Sequence, residues 1–318
     1  MGLVRSFLVQ AFQMLLVLLL APGLTGLVRK VKARMLGRQG PSILQPYRDL
    51  LRLFRKSPAL APNASWLFRA SPYLIFAFTW LATALVPTFC LGLPFGPWAD
   101  LIAVTALIGS ARFFLALSAL DVGTSFGGIG ASREMMIASL AEPAMLLVVF
   151  TLALIAGSTE LSAITAYVLS PAVGLRVSMV LAFAALLLIA LAENCRLPVD
   201  NPATHLELTM VHEAMILEYS GRHLALLELS AFLKLLLYFS LIGTIFLPWG
   251  VAAPGASLAS YLAGGLFYVL KLATAGVALG IFETTLAKMR LFRVPDFLGA
   301  ALMLGLLASL LRFVSSSL

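Results

Sequence analysis

Long apolar runs dominate this chain, and the short polar stretches between them carry most of the information. Eight runs, at 7–28, 70–91, 99–120, 134–157, 171–192, 223–248, 257–280 and 297–314, each come near the ~20 residues that a helix needs to cross a bilayer. The pattern predicts an all-α, polytopic membrane protein. It is a single integral domain over 1–318 with about eight transmembrane helices, the first bent at Ala21-Pro22-Gly23. The first run lacks a small-residue cleavage pattern and continues into a basic segment, so it reads as a retained span.

Composition agrees with the pattern. Hydrophobic residues make up 61% of the chain and charged residues 11%, against roughly 25% charged in soluble domains. The net charge of +8 does not point to nucleic acid, because the basic residues sit between the apolar runs. Ten Lys or Arg fall in 29–69, three in 281–296, two in 193–222 and one in 121–133, whereas 92–98, 158–170 and 249–256 have none. The excess of Lys and Arg on cytoplasmic loops predicts that the odd-numbered connections are cytoplasmic and both termini lie outside. Cys90 and Cys195 stand far apart with no metal-ligand spacing, so neither a zinc site nor an iron–sulfur cluster is expected in this chain.

One polar stretch, 193–221, holds five of the 14 acids: Glu193, Asp200, Glu207, Glu213 and Glu218. Asn201-Pro202 reads as a helix start and Gly221 as a helix C-cap, which predicts a helix over 202–219 with Glu207 and Glu218 on one face and His205 and His212 on another. Glu193 closes an apolar run, where the helix dipole disfavours a carboxylate, and Arg196 is its expected partner. After the first span, Leu44, Tyr47, Leu50, Leu51 and Phe54 recur at helical spacing beside Arg48, Arg52, Arg55 and Lys56. That predicts an amphipathic helix at the membrane interface. Ionisable residues inside spans are costly and read as functional. Arg112 and Glu142 fall at equal depth on consecutive spans and are expected to pair, while Glu228 and Lys234 enter the sixth span and Lys271 lies in the seventh without an evident partner.

Four motifs then carry a resemblance: GPSILQPYRDLLRLFRK, ARFFLALSALDVG, GGIGASREMMIASLAEP and the ExxRxPxD…ELxxxxxE…EYSG pattern of 193–221. The chain resembles the membrane subunit shared by respiratory complex I, called subunit 1 or H, and by membrane-bound group 4 nickel–iron hydrogenases, nearest the formate hydrogenlyase and hydrogenase-4 branch. The resemblance implies a non-catalytic, multi-pass subunit of the bacterial inner membrane that couples redox chemistry in a peripheral arm to proton or sodium movement. The implied partners are an iron–sulfur small subunit, a nickel–iron-hydrogenase-like large subunit and antiporter-like membrane subunits, and the metal cofactors belong to those partners. By the same resemblance Glu142, Glu193, Glu207 and Glu228 belong to a proton relay, extended here to Glu213, Glu218, Lys234, Arg112 and His205. Arg48, Asp49, Arg52, Arg196, Asp200 and Tyr219 are expected to dock the arm.

The departures are Ala203 and His205 where relatives commonly carry glutamates, Val199 in place of a phenylalanine, and about three extra residues before Glu218-Tyr219. Two other readings stay open, a quinone-site-forming subunit and a stand-alone ion transporter.

Overall fold

The computed structural model describes residues 3–170, 177–200, 211–287, 289 and 293–317. Among them eleven α-helices carry the chain: α1 Leu3–Met35, α2 Gln45–Phe54, α3 Trp66–Leu85, α4 Leu101–Asp121, α5 Ser125–Ala156, α6 Leu161–Leu169, α7 Val177–Glu193, α8 His212–Ile216, α9 Gly221–Ile245, α10 Leu258–Thr285 and α11 Val294–Ser317. Six of them, α1, α4, α5, α9, α10 and α11, are long and apolar enough to cross a membrane, and α7 is a shorter apolar helix. α3, with 20 residues, completes the eight elements expected from the sequence. α9 packs against α3 and α1, α5 against α4, α7 and α11, and α10 against α1.

Side chains close the helix ends that a membrane would otherwise leave unsatisfied. Ser65 accepts from the Leu67 N–H at 3.1 Å, Asp100 from Ile102 at 2.7 Å and Thr124 from Gly127 at 3.3 Å. The buried Gln13 amide of α1 donates to the carbonyls of Ala84 (3.3 Å) and Val86 (2.9 Å), where α3 stops, and Gln10 donates to Ala84 at 3.0 Å.

The connections sort to two ends of the bundle, as their charge alternation requires. At the basic end, Ser65 N–H donates to Asp121 (2.9 Å), Ser220 Oγ accepts from Ala59 N–H (2.7 Å), and Met289 N–H donates to the Pro198 carbonyl (2.8 Å). At the other end, Leu91 N–H donates to Ala252 (3.0 Å) and Leu161 N–H to Ala99 (2.8 Å). Single cysteines at the exposed Arg38 and Ala253 positions, in a Cys90→Ala, Cys195→Gly background, should therefore be labelled from opposite faces of sealed vesicles. Labelling of both from one face would overturn the span order.

Three local expectations are corrected. α5 begins at Ser125, not near 134, because its glycines admit close neighbours: a Cβ at Gly127 would stand 2.3 Å from the Ala119 carbonyl, and one at Gly130 2.9 Å from Met215. That packing outweighs the ~1 kcal/mol that each glycine costs a helix. The helix expected over 202–219 lies partly outside the described residues, and within them only His212–Ile216 is helical. Gly221 opens α9 instead of ending a helix: its φ is +53°, and a Cβ there would sit 2.6 Å from the Lys56 carbonyl, so glycine is needed where the 56–59 segment crosses. The Ala21-Pro22-Gly23 triplet does not interrupt α1. It seats α2: the Tyr47 hydroxyl donates to the Leu19 carbonyl, and a Cβ on Gly23 would meet Tyr47 Oη at 2.8 Å.

Candidate functional site

Arg112 stands eleven residues into α4, about 17 Å along the helix, with its side chain 4% exposed. A guanidinium has five N–H donors in a fixed fork, and this one faces three carboxylates. Nη1 lies 3.2 Å from Glu142 Oε1, Nη2 bonds Glu193 Oε1, and Nε is 3.6 Å from Glu134 Oε1. Lys234, on α9, reaches Glu193 Oε2 at 2.9 Å. Four helices thus bring three acids and two bases together, leaving one excess negative charge when all are ionised. Burying each ion costs several kcal/mol, which only multiple good pairings offset.

Glu193 is the hub, since it alone touches both cations. Its place at the last turn of α7 is unfavourable for a carboxylate, and the two cations outweigh that. α7 then ends in a paired hydrogen-bond cap: Arg196 N–H donates to Leu191 (2.9 Å) and Cys195 N–H to Ala192 (3.0 Å), with Cys195 in the left-handed region at φ +47°, the geometry of a Schellman motif. This cap carries Arg196 away from Glu193, against the expected pairing. Arg196 meets Glu283 at 3.4 Å, and Glu283 also holds Lys32 at 3.1 Å. Glu283 thereby clamps α1, α10 and the segment after α7. Glu283→Gln should keep the chain folded yet lower its thermal midpoint by a few degrees, and an unchanged midpoint would remove the clamp role.

The expected Arg112–Glu142 contact is present, but as one of three. Arg112, Glu142, Glu193 and Lys234 converge as the sequence implied, and Glu134 joins them unanticipated, its side chain 6% exposed. Glu134 and Glu142 are eight residues apart, about 80° around a helix, a spacing from which their shared face could have been read. Glu228 stands apart from this group at the junction of α1, α2 and α9, where Arg29, Asp49 and Arg52 act on it. Glu213 is half-buried and Glu218 exposed. His205 and Glu207 lie outside the described residues.

Among the expected docking residues, Arg48 and Arg52 are exposed, and Arg52 pairs with Asp49 at 3.0 Å. Tyr219 and Asp200 are instead buried. Tyr219 stacks on Phe68 with centroids 3.9 Å apart and donates to the Phe68 carbonyl at 3.1 Å, so it anchors the loop internally and presents no docking surface. Burial pushes the His212 imidazole below its ordinary range, partly opposed by Glu213, so His212 is held neutral near pH 7. Burial and Glu134 push the Cys195 thiol well up, which keeps it protonated and unreactive. Among the described residues, no three His, Cys, Asp or Glu converge on a common metal position.

The network opens sideways. A groove of about 500 Å³ between α4 and α5, lined by Thr105, Gly109, Ser110, Phe113, Met135 and Glu142 among others, exposes 48% of the Glu142 side chain. The cluster thus has a buried hub and one edge that reaches the outer surface of the bundle.

A multi-helix membrane protein whose only buried ion cluster lies, among the described residues, at the meeting of α4, α5, α7 and α9 belongs to the class of charge-handling membrane subunits. The chain belongs to the NADH dehydrogenase family, whose model matches residues 8–314. It is 34% identical over 296 residues to formate hydrogenlyase subunit 4 of Escherichia coli (strain K12), covering 91% of this chain and 93% of that one. It is 36% identical over 278 residues to hydrogenase-4 component C of the same organism, covering 87% of each. The H-type membrane chain of an NADH-quinone oxidoreductase, from Rubrobacter xylanophilus, is 29% identical over 272 residues, with 76% and 75% covered. The fold matches a chain of the membrane-bound sulfane sulfur reductase, an archaeal respiratory membrane complex, with a TM-score of 0.80 at 19% identity over 97% of this chain and 99% of that one.

Proposed function

We propose that this chain is the membrane subunit of a complex I-like, hydrogenase-type oxidoreductase, anchoring a peripheral arm at its basic end and coupling the arm's redox chemistry to proton movement. The observation that carries the reading is the five-charge cluster of Arg112, Lys234, Glu134, Glu142 and Glu193. A carboxylate held between two cations inside a membrane bundle has two protonation states of comparable cost, which is what a proton relay needs. In this reading Glu228, Glu213, Glu207 and His205 extend the track toward the basic end, which faces the cytoplasm. The arm consists of an iron–sulfur small subunit and a nickel–iron-hydrogenase-like large subunit, which hold the metal centres, and antiporter-like membrane subunits lie alongside. The names of the relatives and the exposed Arg48 and Arg52 of α2 support this assembly.

The native complex, purified through a tag on this chain, is expected to contain an iron–sulfur subunit and to move protons when reduced in liposomes. Arg48→Glu with Arg52→Glu should release the soluble subunits from salt-washed membranes at least tenfold more readily while the chain stays inserted. A chain that purifies alone, or an arm with unchanged salt resistance, would remove the anchoring half of the proposal.

A further inference from the structure

Lys271 is the fourteenth residue of the 28-residue α10, about 20 Å from either end of that helix. Its aliphatic stem lies against α9, with the Cδ 3.8 Å from where a Cβ on Gly243 would be. Arg112, Lys234, Lys32 and Arg196 each meet a carboxylate at 3.6 Å or less. Lys271 has no ion-pair partner among the described residues, and no described carboxylate is near enough to act on it.

An ammonium at the centre of a span demands a counter-charge or water. A lysine stem does not reach the interface from that depth, and for the same reason a phospholipid headgroup does not reach the lysine. The surrounding surface is open: Phe267, Leu270, Thr274 and Ala278 form an exposed stripe along α10 beside Lys271. Only 28% of the apolar window of α10 is buried, against 67% for α9. Exposed apolar surface of helical width with one central charge fits a second helix that carries the opposite charge.

We infer that the α9–α10 face around Lys271 is the seat of a transmembrane helix from a neighbouring subunit, and that this helix presents an aspartate or glutamate to Lys271 at mid-membrane depth. The inference rests on the proposed role as one membrane subunit of a larger complex, and deepens it by naming the face and the chemistry of the neighbour. The seat is separate from the Arg112 cluster, which opens between α4 and α5.

A photo-crosslinking phenylalanine analogue at Thr274, activated in native membranes and followed by peptide mass spectrometry, tests the seat. The expected product joins Thr274 to a membrane-spanning segment with an Asp or Glu within one turn of the linked residue. Lys271→Glu should lower co-purification of that subunit at least tenfold, while the soluble subunits at the basic end stay bound, and exchanging the partner acid for lysine should restore it. If the Lys271→Glu chain fails to accumulate, Lys271→Met, which keeps the length without the charge, is read in its place and should lower co-purification severalfold. Crosslinks to lipid alone, a linked segment without an acid, or undiminished co-purification in the Lys271 variants would overturn the seat while leaving the subunit reading intact. A wild-type chain that purifies without any other membrane subunit overturns both.

Discussion

Arg112→Leu should remove folded protein from the membrane almost completely. The change leaves Glu134, Glu142 and Glu193 facing one another with Lys234 as their only cation. Removing one member of a buried pair costs about 3–5 kcal/mol, a large part of the 5–15 kcal/mol by which a domain is typically stable. Adding Glu142→Leu should not rescue it, because Glu134 and Glu193, 6% and 3% exposed, stay unneutralised. Glu142→Gln alone should be mild, about 1 kcal/mol, since Arg112 keeps two carboxylates and Glu142 is half exposed. Monodisperse yield and thermal midpoint in detergent give the ordering, and wild-type values for Arg112→Leu would contradict the description of the cluster as a mutually dependent unit.

The second large effect concerns function with the fold kept. Glu193→Gln preserves side-chain shape, and it removes the one excess negative charge of the cluster, leaving two acids against two bases. Folding should therefore survive. The carboxylate that joins Arg112 to Lys234 is gone, however, so a proton has no site between the α4 and α9 cations. In the assembled complex, redox-driven proton movement should fall at least tenfold, while electron transfer by the peripheral arm to an artificial acceptor stays within twofold. Proton movement near the wild-type rate in an assembled Glu193→Gln complex would exclude Glu193 from the relay.

Much of this architecture was legible in the chain because a bilayer imposes a simple code. Runs of about 20 apolar residues and the alternation of basic connections marked the eight elements and their two ends. Arg112 and Glu142 were matched by depth alone. Depth, however, says nothing about rotation around the bundle axis, so the sequence could not tell that Glu193 turns toward Arg112 while Arg196 turns toward Glu283. The left-handed residue at Cys195 decides that, and cysteine does not announce a left-handed turn as glycine would. Glu134 was overlooked because the glycines of 127–130 mimic a loop. Their true use, close helix contact, appears only when the neighbouring backbone is in place.

The crossing at Gly221 has a mechanical meaning. The 56–59 segment lies directly on the first residue of α9, and Ser220 Oγ is bonded to Ala59 at both its N–H (2.7 Å) and its carbonyl (3.2 Å). From Gly221 to Lys234 runs uninterrupted helix, about 20 Å of it, with no joint to absorb a displacement. A push on the surface strap that follows α2 therefore arrives at the Glu193–Lys234 contact as a movement of one stiff rod.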